Sequence, residues 1–170
     1  NALSLHKKAL EMQIKLRDAQ GAARSYNNMG YIFRRQRDNK RAIEVYGNVE
    51  ELLESEDSPD LTEARIRLAS AFLEMGEMDR ARDHAMKAHD ETAENNQEKL
   101  HARSRAVLGR YYARIKDNDL AMHHYTGALE ILSDQSDPRS AVEVEILLGQ
   151  VLSDAGSTEE AAQHYLDALS

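Results

Sequence analysis

The chain has 170 residues with a formal net charge of −8, and 31% of its residues are charged. This acidic balance disfavours nonspecific binding of nucleic acid. The absence of cysteine excludes disulfides and thiolate metal ligands, and no apolar stretch approaches the roughly 20 residues that cross a bilayer. We therefore expect a cytoplasmic protein that binds neither nucleic acid nor membrane.

Hydrophobic periodicity and helix start and stop signals predict an all-α chain without strands. In chain order, the predicted helices span residues 2–16, 18–36, 39–55, 59–75, 79–95, 98–115, 118–133, 138–155 and 158–169. The only two prolines, Pro59 and Pro138, each follow a stretch rich in Asp and Ser. Proline in the first turn after polar capping residues marks a helix start.

Small-residue signatures recur along the chain with a step of about 40 residues, which indicates a repeat architecture. The first signature occurs as Met29-Gly30, Leu68-Ala69, Leu108-Gly109 and Leu148-Gly149. After each comes a second signature, an alanine followed four residues later by an aromatic residue, and its copies begin at Ala42, Ala121 and Ala161, with variants at Ala2 and Ala81. Because residues three and four apart share one helical face, each repeat is predicted to be a pair of closely packed antiparallel helices.

This pattern resembles the tetratricopeptide repeat family. One copy reads Tyr26-Asn27-Asn28-Met29-Gly30, followed by Phe33, Ala42 and Tyr46. The long repeat is similar to those of kinesin light chains, Pins-type adaptors and bacterial peptide sensors and transcriptional regulators. The resemblance implies a right-handed superhelical α-solenoid, a single array over 1–170 with a half repeat at 1–17 and repeats at 18–57, 58–96, 97–136 and 137–170.

The repeat at 58–96 departs from the pattern because Ala69 replaces the glycine and Ala85 replaces the aromatic residue. We expect this repeat to be less well packed, or Phe72 and Met86 to fill the space.

The first predicted helix has an apolar stripe, but no predicted helix precedes it to cover that stripe. Isolated repeat arrays, by contrast, need polar capping helices at their ends. This favours a segment of a longer protein. The alternative is a short protein that self-associates through its exposed ends.

The sequence contains no phosphate-binding glycine loop, paired-histidine zinc helix or nucleophile elbow, so we predict no enzyme and no cofactor. His84, His124 and His164 recur at one position of successive repeats. Neighbouring helices lie about 8–10 Å apart, whereas one metal ion needs its ligands at roughly 2 Å. We therefore interpret the three histidines as packing residues and predict no metal site.

In tetratricopeptide arrays the first helices of the repeats line a concave groove, so the resemblance implies a peptide-binding surface there. The residues predicted to bind the peptide are Arg24, Asn27, Asn28, Tyr31, Arg34, Arg35, Ile66, Ser70, Arg103, Arg110, Arg114 and Gln150. The arginines alternate with carboxylates on the intervening repeats, Glu63, Glu74, Glu143 and Asp154. The arginines either grip acidic groups of a peptide or pair with these carboxylates.

We predict a protein–protein interaction scaffold whose groove binds a peptide segment of a partner. The alternative is a ligand- or peptide-sensing regulatory module of a bacterial signalling protein or transcriptional regulator. A clamp for chaperone C-termini is not predicted, because Tyr31 occupies a position where that clamp has asparagine and no lysine lies in the predicted groove.

Overall fold

A computed structural model of the chain describes residues 2–54, 56, 58–95, 97–134 and 137–169. Within these ranges the chain forms α-helices and no strand. The helices are α1 (Ala2–Lys15), α2 (Ala19–Arg35), α3 (Asn39–Leu53), α4 (Pro59–Met75), α5 (Met78–Glu94), α6 (Glu98–Arg114), α7 (Asn118–Asp134), α8 (Pro138–Asp154) and α9 (Thr158–Asp167). Every predicted helix is present, and the all-α prediction is confirmed. None of the described helices has the length and apolar character needed to span a membrane.

The chain divides into two compact units, Asn1–Ala88 and His89–Ser170, and the boundary falls within α5. In the first unit, α2 packs against α1, α3 and α4, and α3 also packs against α4. In the second unit, α7 packs against α6 and α8, α8 packs against α9, and α6 touches α8. Within each unit, therefore, the first helix of one repeat contacts both its own partner and the first helix of the next repeat.

A glycine on the first helix of a repeat faces a tyrosine ring on the second. The pairs are Gly30–Tyr46, Gly109–Tyr125 and Gly149–Tyr165. A methyl group at Gly109 would lie 2.6 Å from Tyr125 Cε1, well inside van der Waals contact, and one at Gly30 would overlap the Tyr46 ring. The Tyr46 and Tyr125 rings are buried. Only a residue without a side chain allows the two helices to pack this closely around a tyrosine.

The repeat formed by α4 and α5 packs the same two positions in another way. Ala69 and Ala85 are both fully buried, so two methyl groups replace the glycine and the ring. Of the two residues predicted to fill the space, Phe72 is buried and Met86 is exposed. The Phe72 ring stacks on His84 with centroids 5.4 Å apart. The part of the prediction that involved Met86 was therefore wrong, since this side chain points to solvent.

The turns inside the repeats share one backbone feature. A residue in the left-handed region follows the first helix at Arg37 (φ 60°), Gly76 (φ 77°), Lys116 (φ 65°) and Gly156 (φ 90°). In two of these turns a side chain then caps the next helix: Asp38 Oδ1 accepts a hydrogen bond of 3.1 Å from the Arg41 amide, and Asp117 Oδ1 accepts one of 3.1 Å from the Leu120 amide. This combination ends one helix and starts its antiparallel partner within a few residues.

Gly30→Ala is expected to lower the free energy of unfolding by about 1–3 kcal/mol, because the methyl group overpacks against the Tyr46 ring. The clash should outweigh the gain of about 1 kcal/mol that alanine brings to a helix interior. Urea denaturation measures the difference between this variant and the wild-type chain.

Gly47 provides the matched control, because it lies inside α3 and an added methyl group meets nothing within 4 Å. Gly47→Ala should therefore raise the free energy of unfolding by about 0.5–1 kcal/mol. Equal effects of the two substitutions would contradict the packing argument. In a Tyr46→Ala background, Gly30→Ala should no longer destabilise.

Candidate functional site

In the second unit, an open cleft between α6 and α8 brings together three of the predicted binding residues, Arg110, Arg114 and Gln150. Its volume is about 290 Å³. The full lining consists of Arg110, Ala113, Arg114, Tyr125, Leu147, Gln150, Val151 and Asp154. The cleft therefore combines guanidinium groups, one amide and an apolar wall. Arg103, which was predicted with this set, does not line the cleft.

The charges around this cleft favour an anion. Two guanidinium groups, of Arg110 and Arg114, face one carboxylate, that of Asp154. Lys116 Nζ lies 3.5 Å from Asp154 Oδ2 at the rim, where both side chains are exposed. Burial raises the pKa of Tyr125, although Arg110 opposes the shift, so its hydroxyl stays protonated and neutral at physiological pH. The cleft is thus locally cationic in a chain of net charge −8.

The predicted arginines of the first unit have partners within that unit. Arg34 forms an ion pair with Glu74, whose Oε2 also accepts a hydrogen bond of 3.0 Å from Asn39. Arg24 Nε lies 3.9 Å from Asp60 Oδ2. These pairs join α2 to α4 and correspond to the second interpretation of the charge bands, in which arginines pair with carboxylates of the neighbouring repeat. Exposed pairs of this kind contribute at most about 1 kcal/mol each.

Three residues predicted to bind a peptide are buried instead. Asn27 Nδ2 donates a hydrogen bond of 2.9 Å to the carbonyl oxygen of Asp60 and so links α2 to the first turn of α4. Ser70 Oγ donates to the carbonyl oxygen of Ile66 at 3.1 Å, and the Ile66 side chain is 3% exposed. Asn27 and Ser70 therefore donate to backbone carbonyls of α4, and Ile66 is part of the core. Asn28, by contrast, is exposed.

Arg67 of α4 lies in the first unit and was not among the predicted binding residues. Its guanidinium pairs with Glu63 one turn earlier and lies 5.3 Å from the centre of the Tyr31 ring. Burial disfavours its charge, but Glu63 and Tyr46 outweigh burial and raise the pKa of Arg67. Tyr31, a predicted binding residue, also accepts a hydrogen bond of 3.4 Å from Arg35. In the sequence, the spacing of four residues between Glu63 and Arg67 was the signal that could have identified this ion pair.

Comparison with known proteins identifies the architecture. Residues 23–52 match the tetratricopeptide repeat family. BtubC (BKLC) from P. vanneervenii is similar with a TM-score of 0.84 and 23% identity, over 97% of this chain and 69% of that chain. TPR-like repeats of a putative kinesin light chain from Podosopora anserina give 0.73 and 15%, over 98% and 82%. The chain has a tetratricopeptide-repeat fold.

A Rap protein complexed with competence and sporulation factor is also similar, with a TM-score of 0.79 and 10% identity. The match covers 99% of this chain and 53% of the Rap protein. No curated protein matches the sequence. At these identities the solved structures share the tetratricopeptide fold with this chain, and they confirm the helical-repeat prediction.

A cluster of imidazole rings lies among α5, α6 and α7, where one tetratricopeptide repeat follows another in the second unit. His89 stacks on His101 with centroids 4.8 Å apart and meets His124 edge-on at 5.8 Å. His124 also stacks on Tyr112 at 5.3 Å. Thr92 Oγ1 lies 3.0 Å from His101 Nδ1. The repeat pattern had singled out His124, but His89 and His101 occupy no recurring position and were missed.

These histidines resist protonation. Burial lowers the pKa of His124 to about 4, and the nearby charge of Arg105 adds to the shift. Burial and the charge of Arg105 also lower the pKa of His89, although Asp90 partly opposes this shift. The same two causes lower the pKa of His101. Arg105 is held beside the cluster by a hydrogen bond of 3.1 Å to the carbonyl oxygen of His123. The cluster is therefore neutral at physiological pH.

The second unit should lose stability as the pH falls from about 6.5, the ordinary pKa of histidine, to about 4. The unfolded chain takes up protons over this range that folded His124 does not bind, so acid favours unfolding. His124→Phe, which keeps a ring against Tyr112, should flatten this part of the pH dependence in urea denaturation.

The matched control is His6→Phe, because His6 lies in α1 of the other unit and is not part of the cluster. The control should follow the wild-type pH profile, including the contribution of carboxylates that both chains share. If His124→Phe loses stability with acid in parallel with the wild-type chain, the cluster does not cause the effect.

Proposed function

We propose that this chain is a non-enzymatic protein–protein interaction scaffold that binds an acidic peptide segment of a partner between α6 and α8. The observation that carries the proposal is the pairing of Arg110 and Arg114 along an open cleft whose wall is partly apolar. A guanidinium group grips a carboxylate through two parallel hydrogen bonds, which a lysine cannot do. Two such groups on one helix favour a segment that carries more than one acidic group.

The other residues that line the cleft suggest how the peptide segment is recognised. Leu147 and Val151 offer an apolar wall, and the Gln150 amide can both donate to and accept from a peptide backbone. A volume of about 290 Å³ is at the lower limit for small-molecule pockets, which span about 300–1,000 Å³. The cleft therefore suits one apolar side chain flanked by acidic residues better than a whole small molecule.

A peptide that reached the arginines of the first unit would meet carboxylates already in place. Arg34 and Arg24 lie against Glu74 and Asp60 of the same unit. A peptide carboxylate would have to replace these carboxylates, so one ion pair would be exchanged for another with little net gain. We assign the primary peptide contact to the α6–α8 cleft because it brings two arginines, an amide and an apolar wall together in one opening.

The proposal is tested with a displayed library of random peptides selected against the chain. Enriched sequences should combine an apolar residue with neighbouring Asp or Glu. Arg110→Glu should weaken the binding of an enriched peptide at least tenfold, since a hydrogen bond to a charged group contributes about 1.5–3 kcal/mol. Fluorescence anisotropy of the labelled peptide measures the affinity, and circular dichroism checks that helicity is unchanged.

Arg139→Glu is the matched control, because Arg139 is an exposed arginine of α8 that does not line the cleft. It makes the same change in net charge and should leave the affinity nearly unchanged. The proposal fails if selection enriches no common pattern, or if enriched peptides bind the Arg110→Glu and Arg139→Glu variants equally well.

A second candidate function is a peptide-sensing regulatory module. It is supported by the similarity of fold to a Rap protein complexed with competence and sporulation factor. In repeat proteins each repeat contacts mainly its neighbours, so small changes between repeats add along the chain. A change in the radius of gyration on adding a selected peptide, measured by solution scattering, would favour the sensor, whereas an unchanged profile would favour the scaffold.

A further inference from the structure

Three side chains with metal-binding atoms converge between α8 and α9 in the second unit. They belong to Glu145, His164 and Asp167, and one ligand atom of each lies within 4.8 Å of the others. His164 and Asp167 are three residues apart and so share one face of α9, which Glu145 meets from α8. The side chains of Glu145 and His164 are only 19% and 29% exposed. The packing of the two helices therefore holds this donor set together.

We propose that Glu145, His164 and Asp167 bind a divalent transition-metal ion of the Zn²⁺ class. His164 Nδ1 lies 2.5 Å from Glu145 Oε2, so the imidazole nitrogen and one carboxylate oxygen already face each other. Zinc binds imidazole nitrogen and carboxylate oxygen at about 2.0–2.2 Å, which places two such ligand atoms about 3 Å apart. The ion takes the lone pair of His164 Nδ1 while the N–H of the neutral imidazole lies on Nε2, and a small outward shift of the two side chains completes the bonds.

The donor chemistry selects the kind of ion. One imidazole nitrogen with two carboxylate oxygens suits Zn²⁺, Co²⁺ or Ni²⁺, whereas Mg²⁺ and Ca²⁺ prefer oxygen alone. A dication also neutralises the two carboxylates. Three protein ligands leave one tetrahedral position for water, so the site is open. Gln163 Nε2 donates a hydrogen bond of 2.9 Å to Asp167 Oδ1 and thereby orients that carboxylate.

The equivalent positions of the two preceding repeats contain a different set of residues. The residues that precede the cluster by about one and two repeat steps are His124 and His84 for His164, Arg105 and Arg65 for Glu145, and Gly127 and Lys87 for Asp167. The histidine thus recurs, but the carboxylates do not: two arginines, a glycine and a lysine stand at their positions. The prediction of no metal site rested on the distance between histidines of different repeats. One of them instead has a local pair of carboxylates, which the prediction of no metal site did not consider.

Isothermal titration of the metal-free chain with ZnCl₂ tests the site. The expected result is one Zn²⁺ per chain, bound at least tenfold more weakly by His164→Gln and by Asp167→Asn. His123→Gln, which removes an exposed histidine of the same unit, should leave the affinity unchanged.

Asp167→Asn keeps the test decisive if His164→Gln unfolds, because Asp167 is exposed at the end of α9. Added Co²⁺ should give the visible absorption of a four-coordinate site in the wild-type chain and lose it in Asp167→Asn. Overlapping zinc titrations of the wild-type chain and Asp167→Asn would overturn the proposal.

Discussion

The contact between a glycine and a tyrosine ring sets the geometry of the repeats. At Gly109 the missing side chain lets the Tyr125 ring lie against the backbone of α6, which fixes how closely α6 and α7 approach. The same ring lines the α6–α8 cleft, in which Arg110 follows directly after Gly109. The residue that allows the helices to pack therefore also positions the cleft and its first arginine. In the repeat at Ala69, two buried alanines, Ala69 and Ala85, occupy the positions of the glycine and the ring.

The fold could be predicted because its determinants are local and recur. Capping residues, prolines and the small-residue signatures each act within a few residues, and their recurrence allows one copy to support another. The burial of individual polar side chains could not be predicted in this way. Asn27 and Asn28 are adjacent and chemically identical, yet Asn27 bonds to the backbone of Asp60 while Asn28 is exposed. Which of the two lies inside depends on how α2 is rotated against α4, and this is a property of the packed pair of helices.

The recurring histidines show what the repeat pattern can predict and what it cannot. One repeat position contains His84, His124 and His164, and each has a different environment. His84 stacks on Phe72, His124 lies against other imidazoles, and His164 hydrogen-bonds to Glu145. The repeat determines where the ring lies on the second helix, but residues that do not recur determine its chemistry. His89 and His101 are such residues, and nothing in the sequence pattern brings them beside His124.

The energetics of the cleft limit the kind of partner it can hold. Hydrogen bonds from two guanidinium groups to carboxylates contribute about 1.5–3 kcal/mol each, and one buried apolar side chain adds about 1.5–3 kcal/mol. Fixing a flexible peptide costs several kcal/mol of conformational entropy, so contacts at this cleft alone correspond to a dissociation constant nearer millimolar than nanomolar. A weak and readily reversed contact fits a scaffold that exchanges its partners. Tighter binding requires a longer segment that continues along α6 and α8 beyond the two arginines.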